Sequence, residues 1–234
     1  MQYTTDSIWS EQIRIIQSKN GYRFGIDAVL LAHFLRTSPE DEVLEIGSGN
    51  GVIAILLSHL QPFKKLIAVE VQQDPAKLAA QNFELNQIKN AEVLHADARE
   101  LQLSRKFDLI FSNPPYRKIG AGKLNPQPEK AVARHEICLT LQDLFSCADR
   151  HLKPDGRLSV ILPHFREKDL VRLSRRHDLP LRERRAVHSF RDDPCAFLLV
   201  TLSKAASKPL EHPPLVIYDA PGRYTAEMQS LLSR

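Results

Sequence analysis

Short runs of almost wholly apolar residues, spaced by amphipathic stretches, constrain this 234-residue chain more than any other feature. EVLEIG (42–47), KLIAVEV (65–71), AEVLHAD (91–97), FDLIFS (107–112) and RLSVILP (157–163) read as strands. VIAILLSHL (52–60), DPAKLAAQNFELNQ (74–87), LTLQDLFSCADRHL (139–152) and REKDLVRLSRRHD (166–178) read as helices. Asp74 is placed to cap its helix, with Pro75 in the first turn. Strands without polar alternation are covered on both faces, and strand–helix alternation is how a parallel sheet is connected. LRERRAVHSF (181–190) and CAFLLVTLSK (195–204) look like a closing strand pair. A Pro-rich piece (208–214) leads into a tail that reads as an edge element plus a terminal helix. One α/β domain over residues 1–234 suits this length, with 1–40 as an N-terminal extension and 208–234 as the tail.

Composition narrows the classes. With 43% hydrophobic and 26% charged residues, the chain has a globular composition, and no apolar run reaches membrane-spanning length. The start, MQYTTDSIWSEQ, lacks a basic leader followed by an apolar stretch, so no secretory signal is expected. Cys138, Cys147 and Cys195 have neither the number nor the spacing of a metal knuckle or a disulfide framework. No metal is expected, and a reduced, cytoplasmic setting is. The net charge of +4 is modest, but its placement is uneven. Arg166, Lys168, Arg172, Arg175, Arg176, Arg182, Arg184, Arg185 and Arg191 face only four acids over 165–191. Arg117, Lys118, Lys123, Lys130 and Arg134 follow the FDLIFS strand. Such runs are either a solvated surface or a phosphate-contacting face.

In parallel sheets, ligands bind at the carboxyl ends of the strands. The first strand ends on LEIGSGNG, with Glu45, Gly47, Gly49 and Gly51. Alternate glycines let the backbone turn tightly against a ligand. The spacing is neither that of the dinucleotide fingerprint nor that of a phosphate-cradling loop. The second strand ends near Glu70, where an acid can take both hydroxyls of a ribose. The third ends on HADA, where Asp97 can accept from an adenine amino group. Taken singly, a structural turn, an exposed strand-end charge and a helix N-cap are the plain alternatives. Taken together, the three describe an adenosine site without phosphate.

The order VLEIGSGNG, VEV, HADA and FDLIFSNPPY resembles a class I S-adenosylmethionine-dependent methyltransferase of the Asn-Pro-Pro-Tyr type, over nearly the whole chain. IIQSKNGYRFGIDAVLLAHF (15–34), KAVARHEICLTLQDLF and PGRYTAEMQSLL sharpen the resemblance to the bacterial valine-tRNA (adenine-N6)-methyltransferases, which modify the adenine 3′ of the anticodon. The resemblance implies a Rossmann-like, mostly parallel seven-stranded sheet with helices on both faces and an antiparallel last strand. It implies S-adenosylmethionine as cofactor, held by Glu45, Gly47, Gly49, Gly51, Glu70, Asp97, Ala98 and Asn113, and tRNA as partner. It also suggests an extra leading helix capped by Asp27, with Tyr22 and Phe24 either near the cofactor or simply in the core.

The catalytic candidates are Asn113, Pro114, Pro115 and Tyr116. An exocyclic amine on a conjugated ring is a poor nucleophile because its lone pair is delocalised. The Asn113 side-chain carbonyl and the Pro114 backbone carbonyl can both accept from such an NH2 group and fix it, and positioning of this kind supplies several kcal/mol. Pro115 stiffens the elbow through its locked φ, and Tyr116 offers a face for stacking, worth about 1–3 kcal/mol for a base. Adenine N6, cytosine N4, guanine N2 and a glutamine side chain all fit this chemistry. A protein-glutamine methyltransferase acting on release factors is the main rival. Those enzymes carry a separate helical N-terminal domain, and only about forty residues precede the glycine turn here. A non-catalytic cofactor-binding scaffold would be expected to lose the acids or the motif, and this chain has both. Arg117, Lys118, Arg175 and Arg184 are the candidate RNA contacts.

Overall fold

The five apolar runs form one contiguous side of an eight-stranded sheet, out to one of its edges. The computed structural model describes residues 2–9, 12–19, 23–114, 139–205 and 208–233. These strands are β3 (Glu42–Ile46), β4 (Lys65–Glu70), β5 (Ala91–His95), β6 (Phe107–Ser112) and β7 (Leu152–Pro163), in the spatial order β7-β6-β3-β4-β5 with β5 at the edge, all parallel to their neighbours within that group. Successive residues of β6 serve opposite faces: Leu109 and Phe111 join one apolar cluster and Ile110 the other. This is why the strand tolerates no polar alternation. On the first face lie α1 (Ile26–Phe34), α2 (Val52–Leu60) and α3 (Gln73–Leu85), and on the second α4 (Leu141–His151) and α5 (Glu167–Arg176).

The closing pair is β8 (Leu181–His188) and β9 (Cys195–Ser203), with β9 antiparallel to both β7 and β8. That completes the expected seven strands. The Pro-rich piece adds an eighth, β10 (Leu210–Val216), parallel to β8 at the sheet edge. A short ribbon of β11 (Tyr218–Ala220) and β12 (Arg223–Tyr224) and the helix α6 (Ala226–Leu232) follow, and Leu215, Ile217 and Met228 enter the first cluster.

Three local expectations are corrected. Residues 13–18 form no part of a leading helix. They are β2 (Ile13–Ser18), paired antiparallel with β1 (Tyr3–Ile8). Two amides at the C-terminal end of α3, Asn82 within it and Asn86 at its C-cap, serve the other edge of β2. Asn82 accepts from Ile16 N at 2.7 Å and donates to Ile16 O, while Asn86 does the same for Arg14. Asp74 does not cap α3, because the helix begins a residue earlier, after Gln72. Pro75 still falls among the first-turn residues whose N–H has no helical partner. Asp27 does not cap α1. Gly25 occupies that position, and Asp27 lies inside the first turn, buried, with its carboxylate turned to β6.

Candidate active site

The chain reverses its direction of sheet growth between β3 and β6, the place where such sheets leave a crevice. Glu45 lies beside Phe111 in register, and Ser112 Oγ donates to Ile46 O at 2.7 Å. The two strand exits are thereby pinned side by side, with the glycine turn on one and Asn113 on the other.

Gly47, Gly49 and Gly51 all have positive φ, at 74°, 57° and 80°, so each needs the glycine backbone. Their surroundings differ. A Cβ at Gly47 or Gly49 would meet nothing within 4 Å, whereas one at Gly51 would lie 2.8 Å from the Phe83 ring. Gly51 allows α2 to start against α3, and the first two glycines border open space. Glu70, buried at the end of β4, accepts from Gly49 N and from Gln72 N, both at 2.9 Å. It therefore stiffens the turn from the neighbouring strand. Asn82 donates to Asn50 O at 2.9 Å and ties the same turn to β2.

Beneath the turn, Glu45 is 1% exposed, and neither carboxylate oxygen has a hydrogen-bond partner. Burial, and secondly the charge of Glu70, push its carboxyl well above the usual range; the nearby Ala54 N–H acts more weakly in the opposite sense. A buried carboxyl with two unpartnered oxygens beside a glycine turn bordering open space fits a ligand carrying an ammonium group. Asp97, two residues beyond β5, accepts from Arg99 N at 2.9 Å and from its guanidinium at 2.5–3.0 Å. Those side-chain hydrogen bonds hold its carboxyl below the usual range. Ala98 beside it is buried.

Asn113 donates from Nδ2 to Asp27 Oδ2 at 2.8 Å, and Pro114 is buried. Pro115, Tyr116, Arg117 and Lys118 lie outside the described residues, as do Tyr22, Lys123, Lys130 and Arg134. Phe24 is half-buried and packs on the first apolar cluster. Among the RNA candidates, Arg175 is exposed on α5. Arg184 bridges Glu167 and Glu211 at 3.0 and 2.9 Å, which raises its guanidinium above the ordinary value. Sequence alone does not single out Asp27 or Asn82 as site residues. For Asp27 the signal was present: an acid inside a nearly all-apolar helix.

No group of metal ligands occurs among the described residues, and no helix of the described chain is long and apolar enough to cross a membrane.

Residues 21–173 match the family model described as the methyltransferase small domain. A tRNA1(Val) (adenine(37)-N6)-methyltransferase of Pedobacter heparinus is 31% identical over 224 residues, 95% of this chain and 94% of that protein. One of the same name from a Flavobacteriaceae bacterium is 33% identical over 154 residues, 65% of this chain and 64% of that protein. Among solved structures, a predicted O-methyltransferase from Agrobacterium tumefaciens superposes with a TM-score of 0.66 at 20% identity, over 88% of this chain and 94% of that one. The fold agrees with the solved structure, and the chain belongs to the methyltransferase small domain family, enzymes that take their methyl group from S-adenosylmethionine.

Proposed function

We propose that this protein methylates the exocyclic N6 amine of an adenine in tRNA, next to the anticodon. The relatives named above are named for adenine 37 of tRNA1(Val), and the same acceptor is proposed here. The observation that carries the reading is the place of Asn113: at the exit of β6, beside the glycine turn, with its amide held by Asp27. When bound, the cofactor supplies an electrophilic methyl group on a sulfonium. The chain's residues do the rest by position. Glu70 takes the ribose hydroxyls, Glu45 faces the amino-acid end, and Gly47 and Gly49 let the backbone come close. Asp97 and the Ala98 backbone serve the adenine end, and Asp97 shares its oxygens with Arg99 there. Asn113 and Pro114 accept hydrogen bonds from the target amine and hold its lone pair toward the methyl group, with Pro115 and Tyr116 as the rigid elbow and stacking face. The methylated nitrogen is acidic enough to lose its proton without a strong base. Arg117, Lys118 and Arg175 contact the RNA backbone. The whole chain acts as one methyltransferase domain, with 1–40 and 208–234 as its extensions.

The test is incubation of purified protein with S-adenosylmethionine and a valine-tRNA transcript, followed by nucleoside mass spectrometry. N6-methyladenosine at the anticodon-adjacent position is expected. An unmodified transcript, with methylglutamine formed in a release-factor peptide instead, overturns the reading.

A further inference from the structure

Phe165 is the most exposed large hydrophobic side chain among the described residues, at 69%. It sits in the single helical turn His164–Arg166 that directly follows β7. Because β7 runs parallel to β6 with Val160 beside Ser112, Asn113 and Phe165 leave the sheet at the same end, on adjacent strands. The level of Asn113 is that of Ile161; β7 runs two residues further, to Pro163, and the helical turn carrying Phe165 follows, which sets Phe165 on the order of 10 Å from Asn113. That is the reach to a base flanking the target, not to the target itself.

A lone surface phenylalanine is ordinary. This one stands two residues before α5, which carries a run of cations. Lys168, Val171, Arg172 and Arg175 recur along α5 at helical spacing and form one exposed surface together with Glu167, on which Val171 is itself 41% exposed. The acids of the same helix are engaged inward or sideways: Glu167 by Arg184 at 3.0 Å and His164 at 3.1 Å, Asp169 by Arg166 at 3.1 Å. Lys168 and Arg175 have no ion-pair partner among the described residues, and Arg172 only a 3.9 Å contact with Asp169. An exposed ring beside cations whose charge is not cancelled is the combination that binds single-stranded nucleic acid, with bases on the ring and phosphates on the cations.

From this we infer that Phe165 is a stacking platform for a nucleotide flanking the target adenine, and that Lys168, Arg172 and Arg175 track the adjoining RNA backbone. The inference rests on the tRNA reading above and deepens it.

Steady-state kinetics on a tRNA transcript test it. Phe165→Ala should raise KM for tRNA about ten-fold, while S-adenosylhomocysteine affinity and melting temperature stay at wild-type values. Phe165→Trp should restore KM, and Phe165→Leu should not, since stacking needs a π face. Lys168→Glu with Arg175→Glu should weaken binding and flatten its salt dependence, by about 0.7 in log–log slope per lost phosphate contact, whereas Phe165→Ala should leave that slope unchanged. If tRNA is methylated and Phe165→Ala has a wild-type KM, the platform is wrong. Full rescue by leucine, or a changed sedimentation mass that makes the patch a contact between two copies, also overturns it. A wild-type protein that methylates no tRNA overturns the functional reading instead.

Discussion

Asn113 Nδ2 donates to Asp27 Oδ2 at 2.8 Å, joining the exit of β6 to the first turn of α1. In this hydrogen bond the Asp27 oxygen accepts, so the edge of the Asn113 amide that faces it is the NH2 edge. The amide oxygen is thereby turned to the opposite edge. On the proposed function, Asp27 sets the Asn113 amide to offer an acceptor to the target amine.

The hydrogen bond can be reversed. Asn113→Asp alone sets a second carboxylate against Asp27 and should lower single-turnover rate by about a hundred-fold. Adding Asp27→Asn restores one donor and one acceptor to the pair. The double variant should recover at least about ten-fold over Asn113→Asp, a coupling near 1.4 kcal/mol. A double variant no faster than the single one removes Asp27 from the positioning of the amide.

Glu70→Ala should weaken S-adenosylhomocysteine binding by about 1.5–3 kcal/mol, the loss of charge-assisted hydrogen bonds. Part of this comes from the turn itself, which loses the acceptor for Gly49 N. Titration calorimetry reads the change, and an unaltered affinity takes Glu70 out of the site.

Glu45 predicts a pH effect. Its carboxyl is raised by burial, so the folded protein holds its proton more tightly than the unfolded chain does. The resulting stability is fully present below the ordinary carboxylate range and is lost as pH rises through the folded value. Glu45→Gln should abolish that loss in the cofactor-free protein, seen in melting temperature against pH. An ammonium group arriving beside Glu45 favours the ionised form, so binding of S-adenosylhomocysteine should release a proton. Calorimetry in buffers of different ionisation enthalpy detects it, and a buffer-independent enthalpy argues against Glu45 facing the amino group.

The glycines separate stability from binding. Gly51→Ala combines a left-handed backbone with a 2.8 Å clash against the buried Phe83 ring, and should cost about 2–4 kcal/mol of stability. Gly49→Ala has the backbone strain alone, about 1–2 kcal/mol, and its methyl enters open space. It should lose cofactor affinity out of proportion to its melting temperature. Equal effects on both quantities at both positions contradict this division.

The sheet was legible because strands buried on both faces read as mostly apolar runs without polar alternation, as Leu109–Phe111 of FDLIFS do. The strand-end acids and the glycine turn were legible because such sheets bind ligands in one place. Other features depended on partners far along the chain. Arg184 reads as one more cation of a basic run, yet Glu211 lies directly opposite it across the β8–β10 pairing. Only the added edge strand brings that acid there. Arg99 could have been read beside Asp97, since the pair is local. Ile13 and Ile15, buried on either side of an exposed Arg14, carry the period-two signal of β2, but a helical reading of the following segment obscured it.

The two asparagines of α3 have a consequence for association. A two-stranded ribbon normally leaves its outer backbone groups open, and such an edge is a template on which another chain adds a strand. Asn82 and Asn86, one helical turn apart, present an oxygen and a nitrogen each to Arg14 and Ile16, as a neighbouring strand would. The edge of β2 is closed by side chains in place of a backbone, so the hairpin gains protection against edge-to-edge aggregation without joining the main sheet.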